Sequence, residues 1–136
     1  MQKDFLGLYR TVFTNDETPK SVGRDECVAL IEAAMEVGSP SMDYGNLETG
    51  VINLENVKYL RRSILRFMYL YPEVFNEDDS IKACGREKCK SLIYYAYSIR
   101  PNGLFGNPDT GWMNPENIIA LYKELKKCWR IDKSTA

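Results

Sequence analysis

A chain of 136 residues with 44% hydrophobic side chains has the length and apolar content of one globular domain, residues 1–136, with a buried core. Its net charge of −1 gives no general attraction for nucleic acid or an anionic membrane. No run approaches the roughly 20 apolar residues of a transmembrane helix, and histidine, the commonest general base and metal ligand, is absent.

Residues 3 to 13 are predicted as the first helix, because Phe5, Leu8, Tyr9 and Val12 follow the i, i+3, i+4, i+7 template. Thr14 to Lys20 is a polar loop. Ser21 is placed to cap a second helix running to about Val37, with Asp25 and Glu26 in its first turns where the helix dipole favours negative charge. Gly38-Ser39-Pro40 ends it. Ser39 to Ile52 is short on periodicity and predicts no regular element beyond one distorted turn. Asn53 then caps the longest helix, to Tyr71, where Pro72 marks the predicted end. Val57, Leu60, Ile64, Phe67, Met68 and Tyr71 share its apolar face, while Lys58, Arg62 and Arg66, with Arg61 beside them, form a basic stripe. About 18 helical residues span on the order of 27 Å, enough to cross a small domain.

Asp79 is predicted to cap a fourth helix from Ser80 to about Ile99. Arg100 to Met113, with its glycines and prolines, must be a structured loop. Asn114-Pro115 is a strong start signal for a last helix, to about Arg130, carrying Ile118, Ile119, Leu121, Tyr122, Leu125 and Trp129. Nothing alternates with period two for long enough to make a strand. The predicted class is all-α, a helical bundle of five main helices and short extra turns around a central helix. No internal repeat, low-complexity segment or domain boundary stands out.

Candidate chemistry is sparse. The Cys84-x4-Cys89 spacing is not that of a zinc knuckle, and at i, i+5 on one helix the two thiols would diverge. Cys27 and Cys128 read as core filler, and free thiols in a reducing, cytoplasmic setting are expected. Gly103, Gly106 and Gly111 lack the Lys-Ser/Thr of a phosphate loop. Asp109 and Glu116 read as solvated loop carboxylates. No nucleophile, base and orienter assemble, so no catalytic residue, metal or cofactor is assigned and the protein is read as a non-enzyme. The basic stripe, with Tyr59 and Tyr69 nearby, leaves open a structural or nucleic-acid-associated role, although no nucleic acid is expected as partner.

Several fragments, in order, resemble the Bcl-2 family of apoptosis regulators, in the manner of a short, divergent, viral-type member. Asp4-Phe5-Leu6 with Tyr9 is similar to the first family helix. Leu30-Ile-Glu-Ala-Ala-Met-Glu36 resembles the third homology motif, with Met35 in place of its aspartate. Gly50-Val51-Ile52-Asn53 resembles the start of the first motif, and Gly111-Trp112 with Ile118-Ile119-Ala120-Leu121-Tyr122 resembles the second. The Trp-Gly-Arg of the first motif is missing, with Leu54, Glu55 and Asn56 in its place.

The resemblance implies an anti-apoptotic protein that binds amphipathic helices of pro-apoptotic partners in a hydrophobic groove. Met42, Tyr44, Leu47 and Val51 would border the groove and Val57 and Leu60 would form its floor. Asn53, Asn56 and Tyr122 stand at motif positions, and Arg61 or Arg62 would replace the family arginine that pairs with a ligand aspartate. For the groove-wall residues a core role remains the alternative. A homodimer covering the groove is a further expectation. So is a location in the cytoplasm or at the mitochondrial outer membrane, with membrane attachment only through a C-terminal tail beyond Ser134-Thr135-Ala136.

Overall fold

The computed structural model describes residues 5–39 and 42–134, with residues 128–134 described by their helical backbone alone. It is all-α, with α1 at Phe5–Val12, α2 at Arg24–Val37, α3 at Leu54–Val74, α4 at Arg86–Ile99 and α5 at Pro115–Ser134. Four isolated antiparallel bridges stand in place of strands among the described residues. Residues 3 and 4 of the expected first helix, and the side chains of Cys128, Trp129 and Arg130, lie outside that description. Contacts divide the chain into two units, one reaching to Arg61 and rejoined from Lys127, the other running from Arg62 to Lys126. The boundary falls inside α3.

The four bridges expose a tandem repeat that the expected organisation lacked. Phe13 pairs with Pro19 and Phe75 with Ile81, each partner 62 residues further on; Gly45 pairs with Ile52 and Gly106 with Met113, each 61 further on. The sequence follows the same register. Phe13, Asp16, Lys20, Gly23, Arg24, Cys27, Leu30, Ile31 and Ala34 recur as Phe75, Asp78, Lys82, Gly85, Arg86, Cys89, Leu92, Ile93 and Ala96. Gly45-Asn46-Leu47-Glu48-Thr49-Gly50-Val51-Ile52-Asn53 recurs as Gly106-Asn107-Pro108-Asp109-Thr110-Gly111-Trp112-Met113-Asn114. α1 therefore corresponds to the last turns of α3, α2 to α4, and the start of α3 to α5.

Backbone hydrogen bonds repeat with the residues. After α1, the Lys20 amide donates to the Val12 carbonyl at 2.7 Å; after α3, the Lys82 amide donates to the Val74 carbonyl at 2.7 Å. The residue at the tip of each of these turns is left-handed, Glu17 at φ 66° and Asp79 at φ 69°. In the second turn type, the Asn46 amide donates to the Val51 carbonyl at 2.8 Å and the Asn107 amide to the Trp112 carbonyl at 2.7 Å. The Asn46 Oδ1 accepts from the Glu48 and Thr49 amides, and the Asn107 Oδ1 from those of Asp109 and Thr110. These side-chain caps hold the tight turn that only a glycine can enter, Gly45 at φ 142° and Gly106 at φ 125°.

Each unit buries the same apolar positions. Phe5, Leu30, Ile31, Ala34 and Val57 in the first have Phe67, Leu92, Ile93, Ala96 and Ile118 as counterparts in the second, all fully buried. At about 25 cal/mol per Å² of apolar surface removed from water, it is this burial that offsets the cost of ordering short helices.

Four boundaries differ from expectation, the simplest being that α5 runs to Ser134 rather than to about Arg130. α3 continues through Pro72 to Val74. A proline inside a helix costs about 3 kcal/mol, yet burying a valine or phenylalanine recovers about 1.5–3 kcal/mol each. Val74 and Phe75 are both buried, and Phe75 donates its amide to the Tyr71 carbonyl at 2.9 Å. α4 starts at Arg86 rather than Ser80, because Asp79 is left-handed and Lys82 turns back to pair with Val74. α2 is capped at Gly23 rather than Ser21, with the Gly23 amide donating to the Glu26 carboxylate at 2.8 Å. Asn53 and Asn114 precede their helices as predicted, and the Asn53 Oδ1 accepts the Asn56 amide at 3.2 Å.

Candidate functional site

In the first unit, the end of α1 and the turn after it frame a cavity of about 790 Å³. Tyr9, Arg10, Phe13, Glu17, Lys20 and Arg61 line it together with Gly7 and Thr14. Helical spacing places Tyr9 and Phe13 one above the other, and their rings stack at 4.4 Å with an 18° angle between planes. The Arg61 guanidinium, carried by α3, lies over the Tyr9 ring at 4.8 Å from its centroid. Such an arrangement contributes about 0.5–2 kcal/mol and fixes the cation at the cavity wall. The Tyr9 hydroxyl donates to Glu17 Oε2 at 3.3 Å, and Lys20 Nζ donates to the Arg10 carbonyl at 3.0 Å. Among the described residues that line the cavity, Arg10, Lys20 and Arg61 stand against the Glu17 carboxylate, in a protein whose net charge is −1. The cavity is locally cationic against the average of the chain, and its chemistry suits an anionic group.

The second repeat has the same column with a different cap. Tyr71 stacks on Phe75 at 4.6 Å, and its hydroxyl lies 3.5 Å from Asp79. Burial first, then the Asp79 charge, pushes the Tyr71 phenol well up. Where Arg61 caps Tyr9, Tyr122 caps Tyr71, with ring centroids at 3.7 Å and planes 2° apart. Where Arg10 stands, the second repeat has Pro72. Asp79 is met by Lys123 at 3.2 Å.

The residues expected to form one ligand groove divide among different roles. Val57 and Leu60 are 0% and 1% exposed and belong to the core, so no ligand touches them in this conformation. Tyr44 is buried as well, its hydroxyl accepting the Ser39 amide at 3.3 Å, and burial raises its pKa. Asn53 caps α3, and the Asn56 side chain donates to the Asp43 carbonyl at 2.7 Å, as Asn117 does to Leu104 at 2.7 Å. Met42, Tyr44 and Leu47 do come together, with Met35, Asp43 and Glu48, along a shallow depression of about 410 Å³ in the first unit. Val51 is 66% exposed at the tip of its turn, where the second repeat exposes Trp112. Arg61 lines the cationic cavity, whereas Arg62, exposed, and Tyr122 belong to the second unit.

Tyr9, Arg10 and Lys20 escape the sequence reading as site residues. Helical periodicity assigns Tyr9 to the core, and only folding brings the loop residue Lys20 back to α1. The cysteine geometry also departs from expectation. Cys84 precedes α4 rather than lying on it, so the Cys84 and Cys89 sulfurs approach to 4.0 Å instead of diverging.

Gly50-Val51-Ile52-Asn53 and Gly111-Trp112, which resemble parts of two different Bcl-2 motifs, fall at the same place in two occurrences of one turn. No helix among the described residues is long and apolar enough to cross a membrane. The chain matches no family model, no curated protein and no solved structure.

Proposed function

We propose that this protein is a non-catalytic binding module whose first repeat seats an acidic group of a partner protein's segment in the cavity at Tyr9 and Arg61. The observation that carries this reading is the difference between the repeats. The shared scaffold accepts a neutral cap, Tyr122, and a neutral Pro72, so Arg61 and Arg10 are not required to build it. A cation that the fold does not need, held against an aromatic ring at a cavity wall, is available for recognition. The amphipathic, aspartate-bearing helices implied by the Bcl-2 resemblance are one segment of this chemistry. An anti-apoptotic role follows if they are the ligands.

The test is a titration of synthetic amphipathic helices against the protein and its Arg61→Tyr variant, which installs the cap of the second repeat. Loss of a charge-assisted contact should weaken binding by about 1.5–3 kcal/mol, on the order of 10- to 100-fold. An Asp→Asn change in the bound helix should cost as much in the parent protein and nothing further in the variant. Equal affinity of both proteins for the acidic helix would reject the assignment. Binding of nucleic acid with a steep salt dependence would instead point to the stripe of Lys58, Arg62 and Arg66.

A further inference from the structure

Both repeats carry the same backbone before their second helix. The Val22 amide donates to the Lys20 carbonyl at 3.0 Å, and the Cys84 amide to the Lys82 carbonyl at 2.8 Å. Five residues after each stands a cysteine, Cys27 in the first repeat and Cys89 in the second. The second repeat alone therefore has sulfur at both positions, and there the two sulfurs lie 4.0 Å apart. Both residues are half-exposed, so a small reagent reaches them. A Cβ added at Gly85, between them, would meet nothing within 4 Å, and Cys84 lies outside α4, in the turn that precedes it. Closing to the roughly 2.05 Å of a disulfide asks a movement of about 2 Å from a residue at the edge of a turn.

We propose that Cys84 and Cys89 form a reversible dithiol–disulfide site that is oxidised by exchange with a low-molecular-weight disulfide. The Cys84 thiolate attacks one sulfur of the oxidant, forming a mixed disulfide and expelling one thiolate. The Cys89 thiolate then attacks the Cys84 sulfur, forming the intrachain bond and expelling the second. In sum, two protein thiols and one small disulfide become one protein disulfide and two small thiols. Burial and the neighbouring Cys84 sulfur push the Cys89 thiol up, which suits the resolving role better than the attacking one. The bond closes a loop of only a few residues, so it removes less entropy from the unfolded chain than a bond across a longer loop would.

The full-length protein is equilibrated over a range of oxidised-to-reduced glutathione ratios, quenched by alkylation and mapped by mass spectrometry. Cys84 and Cys89 should lose alkylation together, in a peptide lighter by two hydrogens, while Cys27 remains alkylated. In Cys89→Ser the resolving thiol is gone, so the glutathione adduct on Cys84 should persist at a level at least about tenfold above the parent, whose second thiol is present at high effective concentration. Circular dichroism checks that the variant folds, and Cys84→Ser, which leaves Cys89, provides the reciprocal reading. Glutathione adducts accumulating on either cysteine of the parent without the intrachain link would overturn the proposal. So would both thiols staying alkylatable at ratios that oxidise dithiothreitol.

Discussion

Phe13, Tyr9 and Arg61 form a column in the first repeat, and Phe75, Tyr71 and Tyr122 form its counterpart in the second. The lower two members are aromatic in both, and each tyrosine hydroxyl meets an acidic residue in the left-handed position of the following turn, Glu17 or Asp79. Only the cap differs. A cation over a ring is worth about 0.5–2 kcal/mol and a stacked aromatic pair about 0.5–1.5 kcal/mol. The two caps therefore stabilise the column to a similar degree while presenting opposite chemistry, a charge in one case and an apolar face in the other. The comparison separates what the scaffold demands from what it leaves open. A similar exchange occurs at the end of the second helix. Gly38 and the buried Ser63 of the first repeat have Arg100 and Glu124 as sequence counterparts in the second, and there the two side chains are joined through two contacts at 2.9 and 2.7 Å.

The equivalence of the two repeats is open to direct attack. Phe5 and Phe67 are both fully buried at matching positions, so Phe5→Ala and Phe67→Ala should each cost about 3–5 kcal/mol in chemical unfolding. Costs that differ by more than about 2 kcal/mol would show that the two cores are not energetically alike.

A smaller effect is expected at the turn. At Gly106, φ is 125° and a Cβ would run into the Trp112 carbonyl oxygen, so Gly106→Ala should cost about 1–3 kcal/mol. Gly85→Ala, where φ is −71° and nothing lies within 4 Å, serves as the contrast: it meets no clash, and its cost is confined to the poorer N-cap that alanine makes for α4, under about 1 kcal/mol. Finding Gly106→Ala as mild as Gly85→Ala would sharpen the comparison against the turn as a demand of the scaffold.

The smallest effect is in the acid range. Asp16 is held below its ordinary 3.8 by the hydroxyls of Thr14 and Thr18, and Asp78 by the hydroxyl and amide of Ser80. A carboxyl whose folded pKa is depressed contributes stability above its unfolded pKa and loses it as pH falls through the folded value. Asp16→Asn combined with Asp78→Asn should therefore leave the alkaline limb of the stability profile unchanged and flatten its fall below about pH 4. Both carboxylates are exposed, so the flattening is slight, and equal contributions from the two single variants are expected. A double variant that follows the parent at every pH would remove the two turns from the list of shared devices.

Much of this molecule is legible in the chain itself. The spacing of Val57, Leu60, Ile64 and Phe67 fixes the inner face of α3, and all four are buried. Asn53 and Asn114-Pro115 mark where α3 and α5 begin, because an N-cap oxygen and a proline at the first helical position answer local geometry that neighbouring residues decide. The repeat is equally present in the letters, in Gly-Asn-x-(Glu or Asp)-Thr-Gly and in the paired Gly-Arg before α2 and α4. Helical periodicity does not reveal it, since it compares residues three or four apart rather than 62.

Other features belong to the tertiary structure alone. Arg61 reads as one charge in a basic stripe until folding sets it over Tyr9, and Lys20 reads as a loop residue until its turn closes back onto α1. Cys84 and Cys89 would diverge on a helix and converge only because the pairing of Lys82 with Val74 delays the start of α4. Local propensity sets the elements, because a cap or an apolar face depends on residues within a turn or two. The meeting of side chains at the cavity and the dithiol depends on where turns bring the chain back, and that is settled by burial summed over each unit.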